Sequence, residues 1–435
     1  DKPWQTVMLP HTAFPEPLVI TKPREGVAYY KKDFFIDKKL QGKIISIEFG
    51  AAMQVADVWV NGRYMMQHQG GYLPFVVDIT KVAKYGASNT IIVRLLNRAN
   101  PVVPPGKPVN KLDFIYYSGL YRNVWFHVND PLHITNANAV DKPAAGGIFV
   151  TYPSVSKEQA TVAVQTDIRN EGNVDATFNV IQELIDPDGH IVASIKSGNK
   201  TLMAGEENHY VQNIVVKAPQ LWHPDHPYLY SLHTIIKKHN TTCDEKTTRI
   251  GIRSFEMSLT RGLLINGEPF VISGTNRHQN YPYIGNALSD NANYRDAYMV
   301  KSAGMNCVRT AHYPQSPAFL DACDELGILI VDCIPGWQFF NKDSAFINNV
   351  FSDIRQTIRR DRNHPSILLW EMSLNETYPP AAFRCKQNEV AKSEWIDTQN
   401  FFTSGDSYYT QACWDVPYDD WNGDPGKRKT GRAQV

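Results

Sequence analysis

The sequence lacks the features of a nucleic-acid-binding or membrane protein. Lys plus Arg and Asp plus Glu each total 44, so no net charge attracts a polyanion. The longest basic run is the short segment 427–429. No stretch approaches the ~18 apolar residues of a membrane span. We therefore expect no nucleic-acid partner and no membrane contact, and a neutral ligand is favoured.

The six cysteines form no CxxC pair and share no metal-ligand spacing with histidine, which argues against a zinc site. Small buried thiols are common in apolar strands. We predict that all six are free: Cys243, Cys307, Cys323, Cys333, Cys385 and Cys413. Asp1 begins directly in mature-looking sequence, so the compartment is left open, with a periplasmic or secreted location favoured over the cytoplasm.

Short alternating strands separated by turns run from Tyr29 to Val128. The apolar run at residues 55–60 is followed by Asn61-Gly62, and Asn-Gly between apolar runs is a strong hairpin signal. This spacing predicts an antiparallel β-sandwich over residues 1–130.

A second β-rich segment covers residues 131–256, with strands near 160–169, 178–185 and 210–216. The pattern predicts an immunoglobulin-like sandwich. His223 and His226 each precede a proline, which indicates a packed corner and not a metal site.

Beyond Gly262 the pattern changes to alternating strands and helices. Repeated βα units of this size predict a parallel sheet in a third domain, residues 257–435. The predicted strands are 270–273, 305–310, 328–332 and 367–370, and the predicted helices are 293–303, 317–326, 345–362 and 380–395.

Polar residues follow these strands, and a barrel enzyme carries its catalytic groups at such strand ends. The segments are Gly-Thr-Asn-Arg-His at 274–278, Gly-Met-Asn-Cys-Val-Arg-Thr-Ala-His-Tyr-Pro at 304–314, and 359–376, which ends in Asn-Glu. Together they resemble glycoside hydrolase family 2, which contains β-galactosidases, β-glucuronidases and β-mannosidases. The resemblance implies a jelly-roll first domain, matched at 58–62, 70–75 and 119–122, and a (β/α)8 TIM barrel. A full barrel takes about 250 residues, so this one is expected to be incomplete.

The resemblance implies that Glu376 is the acid/base carboxyl and that Asn375 hydrogen-bonds the sugar 2-hydroxyl. Relatives often read Trp-Ser-x-Gly-Asn-Glu here, whereas this chain has Trp370-Glu-Met-Ser-Leu-Asn-Glu376, one residue longer. The extra residue predicts a bulge in the strand.

Four further residues match family positions near the sugar. Arg309 and His312 match those that orient the nucleophile and contact the sugar, and Arg277 and His278 match the first-strand pair. His278 is the better candidate of that pair for a sugar contact. For Arg309 a second interpretation stays open, in which an inward arginine ties barrel carboxylates together.

Retaining hydrolysis needs a second carboxylate about 5–5.5 Å from the first. In the family it stands in a Glu-aromatic-Gly sequence, which does not occur after Glu376 in this chain, so the nucleophile is unassigned. Glu389 and Glu394 fall in the helix predicted at 380–395 and are interpreted as solvated.

Asp332-Cys333 stands where several β-galactosidases have Asp-Glu as a magnesium ligand, and a thiol is a poor ligand for a hard cation. We expect no metal or other cofactor.

These residues predict a retaining exo-β-glycosidase acting on a carbohydrate substrate, with β-galactosidase as the leading activity. β-Glucuronidase and β-mannosidase are alternatives within the family. A hypothesis of another class is a non-catalytic carbohydrate-binding or assembly module, if the chain naturally ends at Val435. A homo-oligomer is left open.

Overall fold

The computed structural model describes residues 3–17, 22–258, 260–374, 377, 379–397, 400–405 and 413–416. Two antiparallel β-sandwiches are followed by a parallel α/β unit. Across these ranges, no helix is long and apolar enough to cross a bilayer.

The first domain is a sandwich of a four-stranded and a three-stranded antiparallel sheet. Its strands are β1 (Gly26–Ile36), β2 (Ile44–Phe49), β3 (Val55–Val60), β4 (Arg63–Gln69), β5 (Phe75–Asp78), β6 (Ala87–Asn97) and β7 (Val124–Asn129), with short 3-10 turns at Lys38–Leu40 and Val109–Lys111. The sheet orders are β1-β6-β3-β4 and β5-β2-β7. Asn61 and Gly62 both have positive φ and join β3 to β4, as the hairpin signal predicted. The jelly-roll designation stays a prediction.

The second domain is also a sandwich of two antiparallel sheets. Its strands are β8 (Leu132–Ile134), β9 (Ile148–Val155), β10 (Gln159–Asn170), β11 (Ala176–Ile185), β12 (Ile191–Lys196), β13 (Lys200–Leu202), β14 (Glu207–Lys217), β15 (Tyr230–Lys238) and β16 (Thr241–Ile250). In one sheet, β10 pairs with β14 on one side and with β8 and β9 on the other. The other sheet has the strand order β12-β11-β15-β16, and β13 also pairs with β11. Predicted strands at 160–169, 178–185 and 210–216 are confirmed as β10, β11 and β14.

A small antiparallel sheet connects the second sandwich to the third domain. It consists of β17 (Phe255–Ser258), β18 (Gly262–Ile265) and β19 (Glu268–Pro269). Phe270 still belongs to this sheet, because its amide donates to the Leu263 carbonyl at 2.9 Å. The strand predicted at 270–273 is therefore wrong, and the first barrel strand begins at Gly274.

The third domain contains a parallel sheet whose strands follow one another in chain order. Its elements are β20 (Gly274–Asn276), α1 (Asp290–Ser302), β21 (Cys307–Arg309), α2 (Pro317–Leu326), β22 (Leu329–Cys333), α3 (Ser344–Asp361), β23 (Ile367–Ser373), α4 (Ala381–Ser393) and β24 (Phe401–Ser404). Phe319, Ile330, Ile354 and Trp370 belong to one buried core between sheet and helices. This βα repeat is part of a TIM barrel that is incomplete within the chain.

Two side-chain predictions are corrected by the packing of α4. Cys385 and Cys413 form a disulfide, with Cα atoms 5.2 Å apart, so only four of the six cysteines are free. Glu394 is fully buried and accepts from Arg359 Nε at 2.8 Å and Nη2 at 2.7 Å. It was interpreted as solvated, but the buried guanidinium compensates its charge. Glu389 is exposed, as predicted.

Candidate active site

The carboxyl ends of four neighbouring parallel strands meet at one edge of the barrel sheet. Each strand ends in, or is followed by, side chains with polar or aromatic groups. In chain order these are Asn276 at the end of β20 with His278 after it, Arg309 at the end of β21 with His312 after it, Cys333 at the end of β22 with Trp337 after it, and Glu371 on β23.

Arg309 and Glu371 form a bidentate ion pair at the centre of this edge. Arg309 Nε lies 2.6 Å from Glu371 Oε2, and Nη2 lies 2.6 Å from Oε1. Glu371 is 0% exposed, and the Cys333 thiol donates to its Oε2 at 3.3 Å. The pair agrees with the interpretation in which Arg309 ties barrel carboxylates together. Its contact with a nucleophile stays a prediction. No sequence pattern distinguishes Glu371 as a site residue.

The Nη1 side of the Arg309 guanidinium faces the carboxyl ends of β20 and β21. Nη1 lies 3.4 Å from His312 Nδ1 and 3.5 Å from Asn276 Oδ1. The structure therefore brings Arg309 and His312, two of the predicted site residues, into direct contact.

Aromatic rings form a wall beside this ion pair. The His278 and His312 rings lie 5.6 Å apart, and Trp337 stacks on His312 with an interplanar angle of 16°. Phe114 lies 5.6 Å from His278, and His278 Nδ1 is 3.3 Å from the Tyr313 hydroxyl. Flat apolar faces next to hydrogen-bonding nitrogens suit a sugar ring, which has both apolar C–H faces and hydroxyl edges.

Burial, followed by the positive charge of Arg309, lowers the pKa of both imidazoles. The pKa of His312 falls to about 3 and that of His278 to about 4. Both rings are therefore neutral at pH 7, and each offers one N–H donor and one acceptor nitrogen. Because Nδ1 of each ring already lies against Arg309 or Tyr313, each neutral imidazole can offer its Nε2 to one sugar hydroxyl.

The first sandwich contributes part of the wall through the segment between β6 and β7. Phe114 comes from this segment, and Lys107 places its Nζ 3.8 Å from the centroid of the Trp337 ring. Lys107 also hydrogen-bonds the Gln338 side chain. Neither residue was predicted to belong to the site, because this proline-rich segment has no periodicity that would place it against the barrel.

Arg277 points away from this group of residues. Its guanidinium lies between β20 and α1, where Nη2 is 2.6 Å from Asp296 and 3.1 Å from Asn293, and Nη1 is 2.6 Å from Gln315. It also stacks on Phe319 at 4.0 Å. The structure thus separates Arg277 from His278, although the two are neighbours in sequence.

Asn375 and Glu376 lie outside the described residues. The strand that leads to them, β23, has a register shift between Glu371 and Ser373 in its pairing with β24. The bulge predicted from the extra residue is confirmed.

Family comparisons match almost the whole chain. A family 2 glycosyl hydrolase sugar binding domain matches residues 1–130, a second family 2 domain matches 147–253, and the family 2 TIM barrel domain matches 258–393. The chain belongs to glycosyl hydrolase family 2.

Two curated family 2 relatives carry different activity names. A β-galactosidase of Thermoanaerobacter pseudethanolicus is 34% identical over 89% of this chain, and a β-glucuronidase of Bacteroides fragilis is 28% identical over 89%. The chain spans 50% and 56% of their respective lengths, about half of each relative.

Solved structures show the same fold. The crystal structure of Bacteroides uniformis β-glucuronidase superposes with a TM-score of 0.84 at 28% identity, covering 95% of this chain and 51% of that one. The domain order of family 2 is therefore present here, while the sugar specificity is not fixed by resemblance.

The predicted absence of a magnesium site, which no observation tests, rests on two residues of β22. Burial and the neighbouring Asp361 carboxyl raise the pKa of Asp332 well above its usual range, and Asp332 accepts from the Thr310 hydroxyl at 3.2 Å. Burial and the Glu371 charge likewise raise the pKa of the Cys333 thiol. A fully buried carboxyl whose pKa is raised, beside a buried thiol, is a poor ligand set for a hard cation.

Proposed function

We propose that this protein is a retaining exo-β-glycosidase with β-galactosidase as its activity. One observation carries the proposal: in a family 2 chain, Arg309, His312 and His278 gather at the carboxyl ends of barrel strands beside an aromatic wall. This is the face on which barrel enzymes hold their substrates.

The proposed reaction is a double displacement. A nucleophilic carboxylate, not assigned in this chain, attacks the anomeric carbon while Glu376 gives its proton to the departing glycosidic oxygen. The glycosidic C–O bond breaks and a glycosyl ester forms. Glu376, now a carboxylate, then takes a proton from water as the water oxygen attacks the same carbon and frees the nucleophile. Asn375 hydrogen-bonds the 2-hydroxyl in the transition states.

The charges of the described pocket favour a neutral sugar. Arg309 is ion-paired with Glu371, and Lys107 hydrogen-bonds Gln338 over the Trp337 ring. The charge of Arg309 is therefore compensated within the protein, Lys107 is engaged by a neutral amide and an aromatic ring, and a galactoside needs no cation. β-Glucuronidase is the second candidate, since several relatives carry that name.

A panel of nitrophenyl β-glycosides tests the proposal on the full-length protein. We expect kcat/KM for the galactoside to exceed that for the glucuronide and the mannoside by about tenfold or more, equivalent to roughly 1.4 kcal/mol in the transition state. A preference for the glucuronide or the mannoside would replace the sugar assignment. No turnover of any glycoside, with sugar binding retained, would favour the non-catalytic module.

The disulfide supports a location outside the reducing cytoplasm. Cys385–Cys413 joins α4 to the segment after β24, and such bonds form and persist in oxidising compartments. Periplasmic or secreted location is therefore part of the proposal, and cell fractionation tests it.

A further inference from the structure

We propose that a cavity between the second sandwich and the amino end of β23 binds one halide ion, chloride in ordinary solution. The cavity has a volume of about 20 Å³, which accommodates roughly one water-sized sphere. A halide fills such a space, whereas a sulfate or a sugar carboxylate exceeds it. The cavity lies at the opposite edge of the barrel sheet from the candidate active site, so the halide site is separate from the proposed catalytic one.

The walls of the cavity come from two domains. Residues 150–152 belong to β9 of the second sandwich, whereas residues 362–365 lie between α3 and β23 of the barrel and Trp395 follows α4. Arg253 comes from the segment that connects the second sandwich to the barrel. An ion bound in this cavity therefore contacts both domains.

Two buried guanidinium groups line the cavity, and neither has an ion-pair partner in the part of the chain that the structure describes. Arg253 and Arg362 are 8% and 4% exposed. Arg253 donates to backbone carbonyls through Nε at 2.6 Å and Nη2 at 3.2 Å, and Arg362 donates to backbone carbonyls through Nη1 at 3.1 Å and through Nη2. Carbonyl groups orient a guanidinium but do not neutralise it, and a buried charge without a counter-charge is costly.

The pKa values of the two guanidinium groups reflect this environment. Burial lowers the pKa of Arg253 to about 10 and that of Arg362 to about 9. Burial also opposes the charge of Arg249, but its ion pairs with Asp321 and Glu325 outweigh burial and raise its pKa. Arg253 and Arg362 are charged at pH 7, but they lack compensation of this kind.

The charged side chains around the cavity carry an excess of positive charge. Among the described lining residues, Arg253, Arg362 and His364 are basic and Asp397 is acidic. Burial opposes the charge of His364, but Asp324, 2.6 Å from its Nδ1, raises its pKa to about 9, so the imidazole is protonated at pH 7. Three positive charges then face the two negative charges of Asp397 and Asp324, and one positive charge remains.

The carboxylates farther from Arg362 do not line the cavity. Glu394 is neutralised by Arg359, which binds both of its oxygens. Asp167 is connected to Arg362 through the Gly146 backbone, whose amide donates to Asp167 at 2.7 Å and whose carbonyl accepts from Arg362. A monovalent anion in the cavity supplies the missing negative charge where the two guanidinium groups meet.

Two of the lining residues each have a buried N–H that lacks a hydrogen-bond partner among the described residues. These groups are Arg362 Nε and Trp395 Nε1. Both are donors that cannot accept a hydrogen bond, so both require an acceptor. A halide accepts from both and carries negative charge. A water molecule would accept from both as well, but it brings no charge and adds two protons that need acceptors of their own.

Thermal melting of the full-length protein in mixtures of sodium chloride and sodium gluconate tests the proposal. The total salt concentration is held constant, and gluconate is too large for the cavity. We expect the melting temperature to rise with the chloride fraction, by roughly 1–3 °C for each tenfold increase above the dissociation constant. Sodium bromide should act as sodium chloride does. A melting temperature that does not depend on the chloride fraction would overturn the proposal.

Arg362→Gln and Arg122→Gln form a matched pair of variants. Arg122 is a buried guanidinium of the first domain that also donates to backbone carbonyls, at 2.6 and 2.8 Å, but it is not among the residues that line this cavity. Both substitutions should lower the melting temperature, but only Arg362→Gln should abolish its rise with chloride. A rise that persists in Arg362→Gln, or that disappears in both variants, would show that chloride does not act through this site.

Trp395→Phe tests the site even if Arg362→Gln does not fold. The substitution keeps an aromatic ring beside Phe149 and removes a single N–H donor. Because a hydrogen bond to a charged group is lost, the chloride concentration that gives half of the rise should increase about tenfold. An unchanged half-saturating concentration would contradict the proposal.

Crystals of the full-length protein grown in sodium bromide locate the ion directly. We expect an anomalous-scattering peak within hydrogen-bonding distance of Arg362 Nε and Trp395 Nε1. A cavity that holds water and no anomalous peak would overturn the proposal. A peak without any halide-dependent melting would indicate binding at crystal concentration only and would overturn it too.

Discussion

His364 shows how a buried partner changes the titration of one side chain. Its Nδ1 lies 2.6 Å from Asp324, and although burial alone would lower its pKa, the charge and hydrogen bond of Asp324 raise it to about 9. Because the folded pKa lies above the unfolded value of about 6.5, the protonated pair stabilises the protein fully below pH 6.5. This contribution is lost as the pH rises through 9.

We therefore expect the melting temperature to fall between pH 6.5 and 9, and this decline to be smaller in His364→Gln. Thermal scans at a series of pH values measure it. Asp324→Asn should flatten the same interval. A decline of equal slope in wild type and in both variants would show that other groups control it.

Glu376 is expected to matter only where the leaving group needs a proton. Glu376→Gln should reduce turnover of alkyl or sugar glycosides by about 10² to 10⁴, the usual size of general acid assistance. Dinitrophenyl glycosides, which leave as stable anions, should be cleaved in the first step at close to the wild-type rate. Steady-state and pre-steady-state kinetics on both substrate types compare the two, and equal losses would exclude Glu376 as the acid.

Sequence pattern identified the polar residues that stand at predictable strand ends, but not those whose partners are distant. His278, Arg309 and His312 follow short apolar runs, so their meeting could be predicted. Glu371 and Glu394 could not be distinguished from ordinary glutamates, because each is defined by an arginine 62 or 35 residues away. An ion pair between residues far apart in the sequence produces no periodic pattern in the sequence around either residue.

Two glycines at helix ends allow the cost of backbone strain to be compared with the cost of a steric contact. Gly304 after α1 and Gly327 after α2 both have positive φ, at 80° and 68°. A Cβ on Gly304 would meet nothing within 4 Å, whereas one on Gly327 would lie 2.0 Å from the Pro224 carbonyl oxygen of the second sandwich.

Gly304→Ala should therefore cost only the left-handed backbone penalty, about 1–2 kcal/mol. Gly327→Ala should cost about 2–5 kcal/mol, because the chain must also move away from Pro224. Calorimetric melting of both variants compares them. Equal losses would mean that the contact with Pro224 relaxes without cost.

Element boundaries were predictable where capping chemistry marks them. Pro317 marked the start of α2 as it is found, and in the structure the helix ends at the left-handed Gly327. The first barrel strand was misplaced because residues 270–273 are as apolar as a strand. Pairing with the Leu263 carbonyl, which is a tertiary contact, assigns Phe270 to the preceding sheet.

At the scale of the whole molecule, α3 links all three domains. Asn349 near its start donates to the Val102 carbonyl of the first sandwich at 2.8 Å. Arg362, after its end, donates to the Ala145 carbonyl of the second sandwich at 3.1 Å. The part of the wall that Lys107 and Phe114 contribute from the first sandwich is therefore held in place relative to the barrel strands.

The polypeptide of residues 1–435 is expected to hydrolyse no glycoside at a measurable rate. Among the described strands β20 pairs only with β21, and Val271 just before it is 83% exposed. The family's nucleophile sequence also does not occur between Glu376 and Val435. Burst kinetics with a dinitrophenyl glycoside and mass spectrometry for a 2-fluoro adduct check this, and a stoichiometric adduct on Glu389 or Glu394 would contradict it.

The bond between Cys385 and Cys413 also determines how the protein has to be produced. A recombinant host whose cytosol is kept reducing by glutathione yields the dithiol, while export through the same host's secretion route yields the closed ring. The two preparations have the same sequence, but in one of them the disulfide closes a loop spanning 28 positions. The closed loop lowers the entropy of the unfolded chain and stabilises the folded protein by about 3–4 kcal/mol. Activity and stability measured on one preparation therefore do not describe the other, and alkylation of free thiols before purification identifies which one has been obtained.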